Sequence, residues 1–222
     1  MIGLFGGTFD PIHHGHLRPA LEVLTALRLR ELRFVPLKHA VHRPQPQADA
    51  TARVAMLRAA LRAQPGFALD TRELERAGPS RTYDTLRAVR AEIGGDEPLG
   101  LLIGGDAFNG FLDWHRPRDI LDLTHLIVMQ RPGVALPRDT ALRALLDTRR
   151  AEQPAALNQA PAGRIWLQAV TQLAISATAI RQCIARGESV RFLLPDAVFA
   201  IIEEQALYRG SVIRDAHAAP SA

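Results

Sequence analysis

The sequence is poor in cysteine: Cys183 is the only one in 222 residues. A lone thiol excludes an internal disulfide and any zinc site built on cysteines. Long apolar runs are missing too. Gly, Asp or Arg breaks each of them well short of the roughly 18 residues that suggest a membrane span. The stretch MIGLFGGTFD has no basic segment followed by an apolar one, so no secretory leader is expected in it. These absences lead us to expect a cytoplasmic protein without membrane contact. Aromatic residues make up only 5%, and lysine is rarer still, since Lys38 stands alone among 27 basic residues. The net charge of +4 is spread in alternating sign, as in EVLTALRLRELR, which reads as a solvated surface. Without aromatics between the arginines, a nucleic-acid stripe is not expected.

What is present is the composition of an ordinary globule, 47% apolar and 23% charged, with length enough for one well-filled core. Apolar runs and helical periodicity alternate along it. Ile2 to Phe5, ended by Gly6-Gly7, reads as a buried strand, Gly15 to Arg30 as a helix, and Leu32 to Pro36 as a second strand. Strand, helix, strand in some 36 residues is a parallel crossover. Further strands are expected at Phe67 to Asp70, Leu99 to Ile103, Leu126 to Met129 and Ile165 to Gln168. Helices are expected at Thr51 to Arg62, Thr82 to Ile93, Thr140 to Arg150, Ser176 to Arg186 and Asp196 to Gln205. Short helical pieces broken by Pro117 fill Ala107 to Asp122, and Gln45 to Asp49, Pro132 to Asp139 and Gln153 to Ala162 read as loops. Continuous apolar strands alternating with helices imply an α/β, doubly wound, Rossmann-like fold, with a mostly parallel sheet covered on both faces. A single domain over 1–209 is expected, with 210–222 a flexible tail.

One stretch is too polar for a core, GLFGGTFDPIHHGHL at 3–17. Gly6 and Gly7 fall at the carboxyl end of the first strand, where open α/β sheets bind ligands, and glycine admits close approach to the backbone. The next helix starts near Gly15 and His16, so its free N–H groups and positive dipole end face the same crevice, which suits an anion. His13 and His16 would bond phosphate oxygens and offset charge during phosphoryl or nucleotidyl transfer. No Lys follows the glycines, so this is not a Walker A loop. Zinc on His13, His14 and His16 is disfavoured, for there is no nearby Cys and no HExxH pattern. Asp10-Pro11 reads as a turn before the helix.

Other segments add anion-binding candidates. In ISATAIR, Ser176 can cap a helix whose Ala177 and Thr178 N–H groups then face outward, with Arg181 one turn on. In GGDAF, Asp106 follows a buried strand and suits ribose hydroxyls or a magnesium-bound phosphate, unless it is only a helix cap. Trp114 reads either as a lid on the core or as a stacking platform, and Arg43 as a phosphate ligand or a plain loop residue.

GGTFDPIHHGHL resembles the nucleotide-binding motif of the nucleotidyltransferase superfamily, with [H/T]xGH at His13 to His16. More narrowly, the chain resembles the bacterial nicotinate-nucleotide adenylyltransferases, through FVPLKHAVHRP (34–44), DTRELERAGPSRTYDTL (70–86), LLIGGDAFNGFLDWHRPRDI (101–120) and ISATAIRQ (175–182). The likeness covers roughly 1–209. It implies adenylyl transfer from ATP to nicotinate mononucleotide, with Mg²⁺ carried on the phosphates and no metal held by side chains alone. His13, His16 and Arg181 would be catalytic. Gly6, Gly7, Thr8, Phe9, Gly15, Asp106, Ser176, Ala177 and Thr178 would bind ATP. Arg43 would take the acceptor's 5′-phosphate, Trp114 would stack on its pyridine ring, and the N–H groups of Thr82 and His115 would meet its carboxylate. Two departures stand out. Arg81 replaces a Tyr that is usual before this Thr, and Ala177 replaces a Ser, so phosphate binding there is expected from the backbone. The small-molecule partners are ATP and the mononucleotide, and the sequence leaves room for a homo-oligomer.

Overall fold

Leu126 to Met129 is apolar at every position because both faces of its strand are covered. Leu126 and Val128 pack into one apolar cluster, and Ile127 and Met129 into another. The same alternation runs through Leu101, Leu102 and Ile103, as a sheet buried on two sides requires. A computed structural model describes residues 1–38, 45–78, 81–130, 137 and 139–209. Its strands are β1 Ile2–Gly7, β2 Glu31–Pro36, β3 Phe67–Leu69, β4 Leu99–Gly104, β5 His125–Gln130 and β6 Ile165–Ala169. They form one sheet in the order β3-β2-β1-β4-β5-β6, and every pairing is parallel.

The helices are α1 His14–Ala26, α2 Ala50–Leu61, α3 Arg72–Glu75, α4 Thr82–Ile93, α5 Gly105–Asn109, α6 Pro117–Leu123, α7 Thr140–Arg149, α8 Ala177–Ala185 and α9 Asp196–Glu204. Helices α1, α2, α8 and α9 cover one face, with Val23, Leu57, Ile180 and Val198 among their core residues. Helices α4, α6 and α7 cover the other, through Leu86, Ile120 and Leu142. The fold is thus the expected doubly wound α/β arrangement, all parallel rather than mostly so.

The differences from the sequence reading are local. Helix α1 stops at Ala26, four residues before the expected end, because Arg28 adopts φ 49. Pro117 does not interrupt a helix but opens one, at the position where its missing N–H costs nothing. Two short elements went unread, α3 and a 3₁₀ turn at Pro154–Asn158 within the expected loop. Arg43, most of the 132–139 loop and the 210–222 tail lie outside the described residues.

Strand order reverses between β1 and β4, which are neighbours joined to opposite halves of the sheet. Outside the carboxyl ends of such a pair the connections diverge and leave a crevice. Every strand points the same way, so helices that follow strands begin at this rim. Their N-termini therefore face the crevice.

Candidate active site

Gly6-Gly7 closes β1, and Gly104 closes β4 with Gly105 directly after it, so both glycine pairs flank the crevice. Beyond Gly7 the chain turns through Phe9, at φ 49 and buried. A Cβ on Gly7 would lie 2.8 Å from the Phe9 ring, closer than packed carbons allow, so the turn requires glycine. The Asp10–Pro11 peptide is cis, and the turn leads into α1 with His13 as its N-cap.

His13 and His16 lie side by side, their ring centroids 3.8 Å apart. The Nδ1 atom of each is shielded from solvent and has no hydrogen-bond partner among the described residues. His13 is only 4% exposed. Burial lowers His13 to about 2, with His16 and His14 adding repulsion, and burial lowers His16 to about 4. Both rings are therefore neutral at physiological pH, and each offers one N–H and one lone pair.

Gly15 ties this motif to the second one. A Cβ there would sit 2.9 Å from the His13 ring and 2.9 Å from the Ile175 carbonyl oxygen. The loop entering α8 thus lies directly against the start of α1, and the His14 N–H donates to the Leu193 carbonyl at 3.0 Å. Ser176 caps α8, its Oγ accepting the Ala179 N–H at 3.2 Å. The N–H groups of Ala177 and Thr178, in the first turn, have no acceptor within the helix. Arg181 Nη1 donates to the Asp10 carbonyl at 2.7 Å, and Nη2 to Thr178 Oγ1 at 3.4 Å. Its Nε is shielded from solvent and unpartnered among the described residues. The structure thus brings His13, Gly15, His16, Ser176, Ala177, Thr178 and Arg181 together, beside the Gly6-to-Phe9 turn.

Asp106 stands at the second position of α5, exposed, and Gly104 is the cap. The capping alternative for this carboxylate is therefore excluded. Further along, Trp114 is half-buried against Phe111, at 5.6 Å between centroids, so it belongs in part to the core. Thr82 opens α4 with its N–H toward the rim. Arg81 Nη1 lies 3.4 Å from His115 Nε2, and Arg116 covers the Tyr83 ring at 4.2 Å. Arg81, Thr82 and His115 therefore meet, next to Trp114. Arg43 falls outside the described residues.

Two residues central to this geometry were missed in the sequence. Asp10, read as a turn, is a buried carboxylate that receives the N–H groups of Gln47 and Ala48 and the Tyr208 hydroxyl. Arg53, on α2, is 2% exposed and donates through Nη1 to the Thr8 carbonyl at 2.8 Å. An acid inside an anion-binding motif was the available signal for Asp10; nothing local marks Arg53. A hollow of about 370 Å³ lined by Arg58, Arg62 and Phe67 lies by β3, apart from all these residues. Converging N–H groups and imidazoles mark the site, not the size of a cavity.

A parallel sheet with a reversal crevice, two imidazoles at one helix start and an arginine at another is the build of a nucleotidyltransferase. The cytidylyltransferase-like family model matches residues 4–183. A probable nicotinate-nucleotide adenylyltransferase of Methylococcus capsulatus is 49% identical over 209 residues, covering 94% of this chain and 99% of that protein. One from Pseudomonas putida (strain W619) is 50% identical over 208 residues, covering 94% of each. The Plasmodium falciparum nicotinic acid mononucleotide adenylyltransferase complexed with NaAD shares the fold, with a TM-score of 0.70 at 15% identity, over 93% of this chain and 96% of that one. The chain belongs to the cytidylyltransferase-like family and, within it, to the nicotinate-nucleotide adenylyltransferases.

Proposed function

We propose that the chain joins ATP and nicotinate mononucleotide by direct in-line transfer, giving nicotinate adenine dinucleotide and pyrophosphate. An oxygen of the acceptor's 5′-phosphate attacks the α-phosphorus. The bond from that phosphorus to the bridging oxygen breaks, and pyrophosphate leaves with the electron pair. No covalent nucleophile enters this reading, in which positioning and charge stabilisation carry the rate. The observation that carries this reading is the contact between the His13-to-His16 motif and the α8 loop at the Gly15 seam.

In this mechanism His13 and His16, kept neutral by burial, donate to phosphate oxygens without drawing a counter-charge. The α8 N-terminus and Arg181 hold the β and γ phosphates, while Gly6 to Phe9 line the nucleotide. Among the described residues no group of three or more His, Cys, Asp or Glu side chains could cage a metal. The residues therefore fit Mg²⁺ that arrives on triphosphate oxygens and water, with Asp106 the carboxylate at the rim. Bound there, the ion would neutralise phosphate charge. On the acceptor side, Trp114 stacks on the pyridine ring and the Thr82 and His115 N–H groups receive the carboxylate. Such donors favour the acid over the amide.

The test is pyrophosphate release from ATP with nicotinate mononucleotide, nicotinamide mononucleotide and phosphopantetheine as acceptors. Release is expected with the first and at a lower kcat/KM with the second. Release with none of the three, or with phosphopantetheine alone, overturns the reading.

A further inference from the structure

We propose that Tyr208 is a positioning residue for ATP: its hydroxyl fixes Asp10, and Asp10 fixes Arg181 where it meets the triphosphate. The inference rests on the reading of Arg181 as a phosphate ligand and adds a residue to it from the far end of the chain. Tyr208 lies in the turn after α9 and is separated from Asp10 by 198 positions, yet its Oη donates to Asp10 Oδ1 at 2.7 Å. The carboxylate is 3% exposed, so water does not compete for this bond. Its other acceptor sites are filled by the Ala48 N–H on Oδ1 at 3.1 Å and the Gln47 N–H on Oδ2 at 2.8 Å.

Asp10 grips Arg181 twice. Nη1 donates to the Asp10 main-chain carbonyl at 2.7 Å and lies 3.7 Å from Oδ2. With one N–H of Nη1 on Asp10 and one of Nη2 on Thr178 at 3.4 Å, the second N–H of each nitrogen remains for an anion. Rotation of the Asp10 side chain would take the Oδ2 charge away from Arg181 Nη1, and the Tyr208 bond opposes that rotation. Helix α9 packs on α2, which follows the two N–H donors and carries Arg53 beneath the Thr8 carbonyl. The turn that delivers Tyr208 is not a relaxed one. Ala206 and Tyr208 have φ 50 and 63, a left-handed backbone that non-glycine residues hold only when the surroundings impose it. Burial, and then the adjoining Asp10, push the phenol above its ordinary range, so the hydroxyl keeps its proton and stays a donor.

A purely structural Tyr208 would affect both substrates alike and act independently of Arg181. The test is calorimetric binding of ATP, with KM for each substrate, in wild type, Tyr208→Phe, Arg181→Ala and the double variant. Tyr208→Phe is expected to weaken ATP about five-fold, a share of what a lost bond to a carboxylate costs. KM for the mononucleotide should hold, and the loss should vanish in the Arg181→Ala background. If Arg181→Ala weakens ATP but Tyr208→Phe does not, or if the two losses simply add, the positioning role is overturned and the phosphate reading stands. If Arg181→Ala leaves ATP affinity unchanged, both fail together. Should Tyr208→Phe not fold, Tyr208→Met takes its place with the same expectations, since it fills the space with apolar atoms and offers Asp10 no donor.

Discussion

At the end of the rim that we assign to the triphosphate, the innermost polar groups are buried. His13 and Asp10 are 4% and 3% exposed, and Arg181 is anchored on a main-chain carbonyl. At the end that we assign to the acceptor, Arg81, His115 and Arg116 are exposed; Arg81 and His115 touch at 3.4 Å and Arg116 lies over the Tyr83 ring. The first half is set by strand ends, helix starts and two glycines, Gly7 and Gly15, whose Cβ would strike the Phe9 ring, the His13 ring and the Ile175 carbonyl. The second is set by side chains on short connections, which can change without disturbing the sheet. Of the two departures from the family's usual pattern, Arg81 falls in the second half and Ala177 in the first, where the backbone N–H is kept whatever the side chain.

The contrast can be broken by substitution on each side. His16→Ala should show the largest effect, a fall in kcat of more than about ten-fold, since lost transition-state contacts are worth about 1.4 kcal/mol or more. A folded variant with near-normal kcat would remove His16 from the chemistry and make the triphosphate end no more demanding than the other. Trp114→Ala should raise KM for the mononucleotide roughly five-fold, the worth of one stacked ring, and leave KM for ATP alone. Parallel rises in both would show that Trp114 serves the core through Phe111 instead.

The smallest effect sharpens the contrast through pH. His13 and His16 titrate far below their ordinary 6.5 when folded, so below that pH the unfolded chain takes up protons that the folded one refuses. Stability from these groups is complete above about pH 6.5 and drains away as the pH falls toward 4. His16→Gln should flatten that fall by about 1 kcal/mol between pH 6 and 5, read from denaturant midpoints. An unchanged slope would mean that the ring is not held neutral by burial.

How much of this was legible beforehand follows the same division. Strands β4 and β5 announced themselves because two covered faces leave no polar position. Helix α4 matched its expected bounds because apolar periodicity and Gly94-Gly95 fixed both ends. The histidine motif and the Ser176 cap were readable from local spacing. Asp10, Arg53 and Tyr208 were not, since their partners lie 37 to 198 positions away and no periodicity encodes such pairing. Helix α3 was missed for a plainer reason, being a single turn without an apolar face.

Gly15 has a bearing on movement. With the His13 ring on one side and a carbonyl on the other, each 2.9 Å from where a methyl would stand, two chain segments touch with no slack between them. A hinge cannot run through that seam without parting it. Any closing motion around the substrates is therefore expected to leave this seam intact, so that the two helix starts that we assign to the triphosphate would move as one piece.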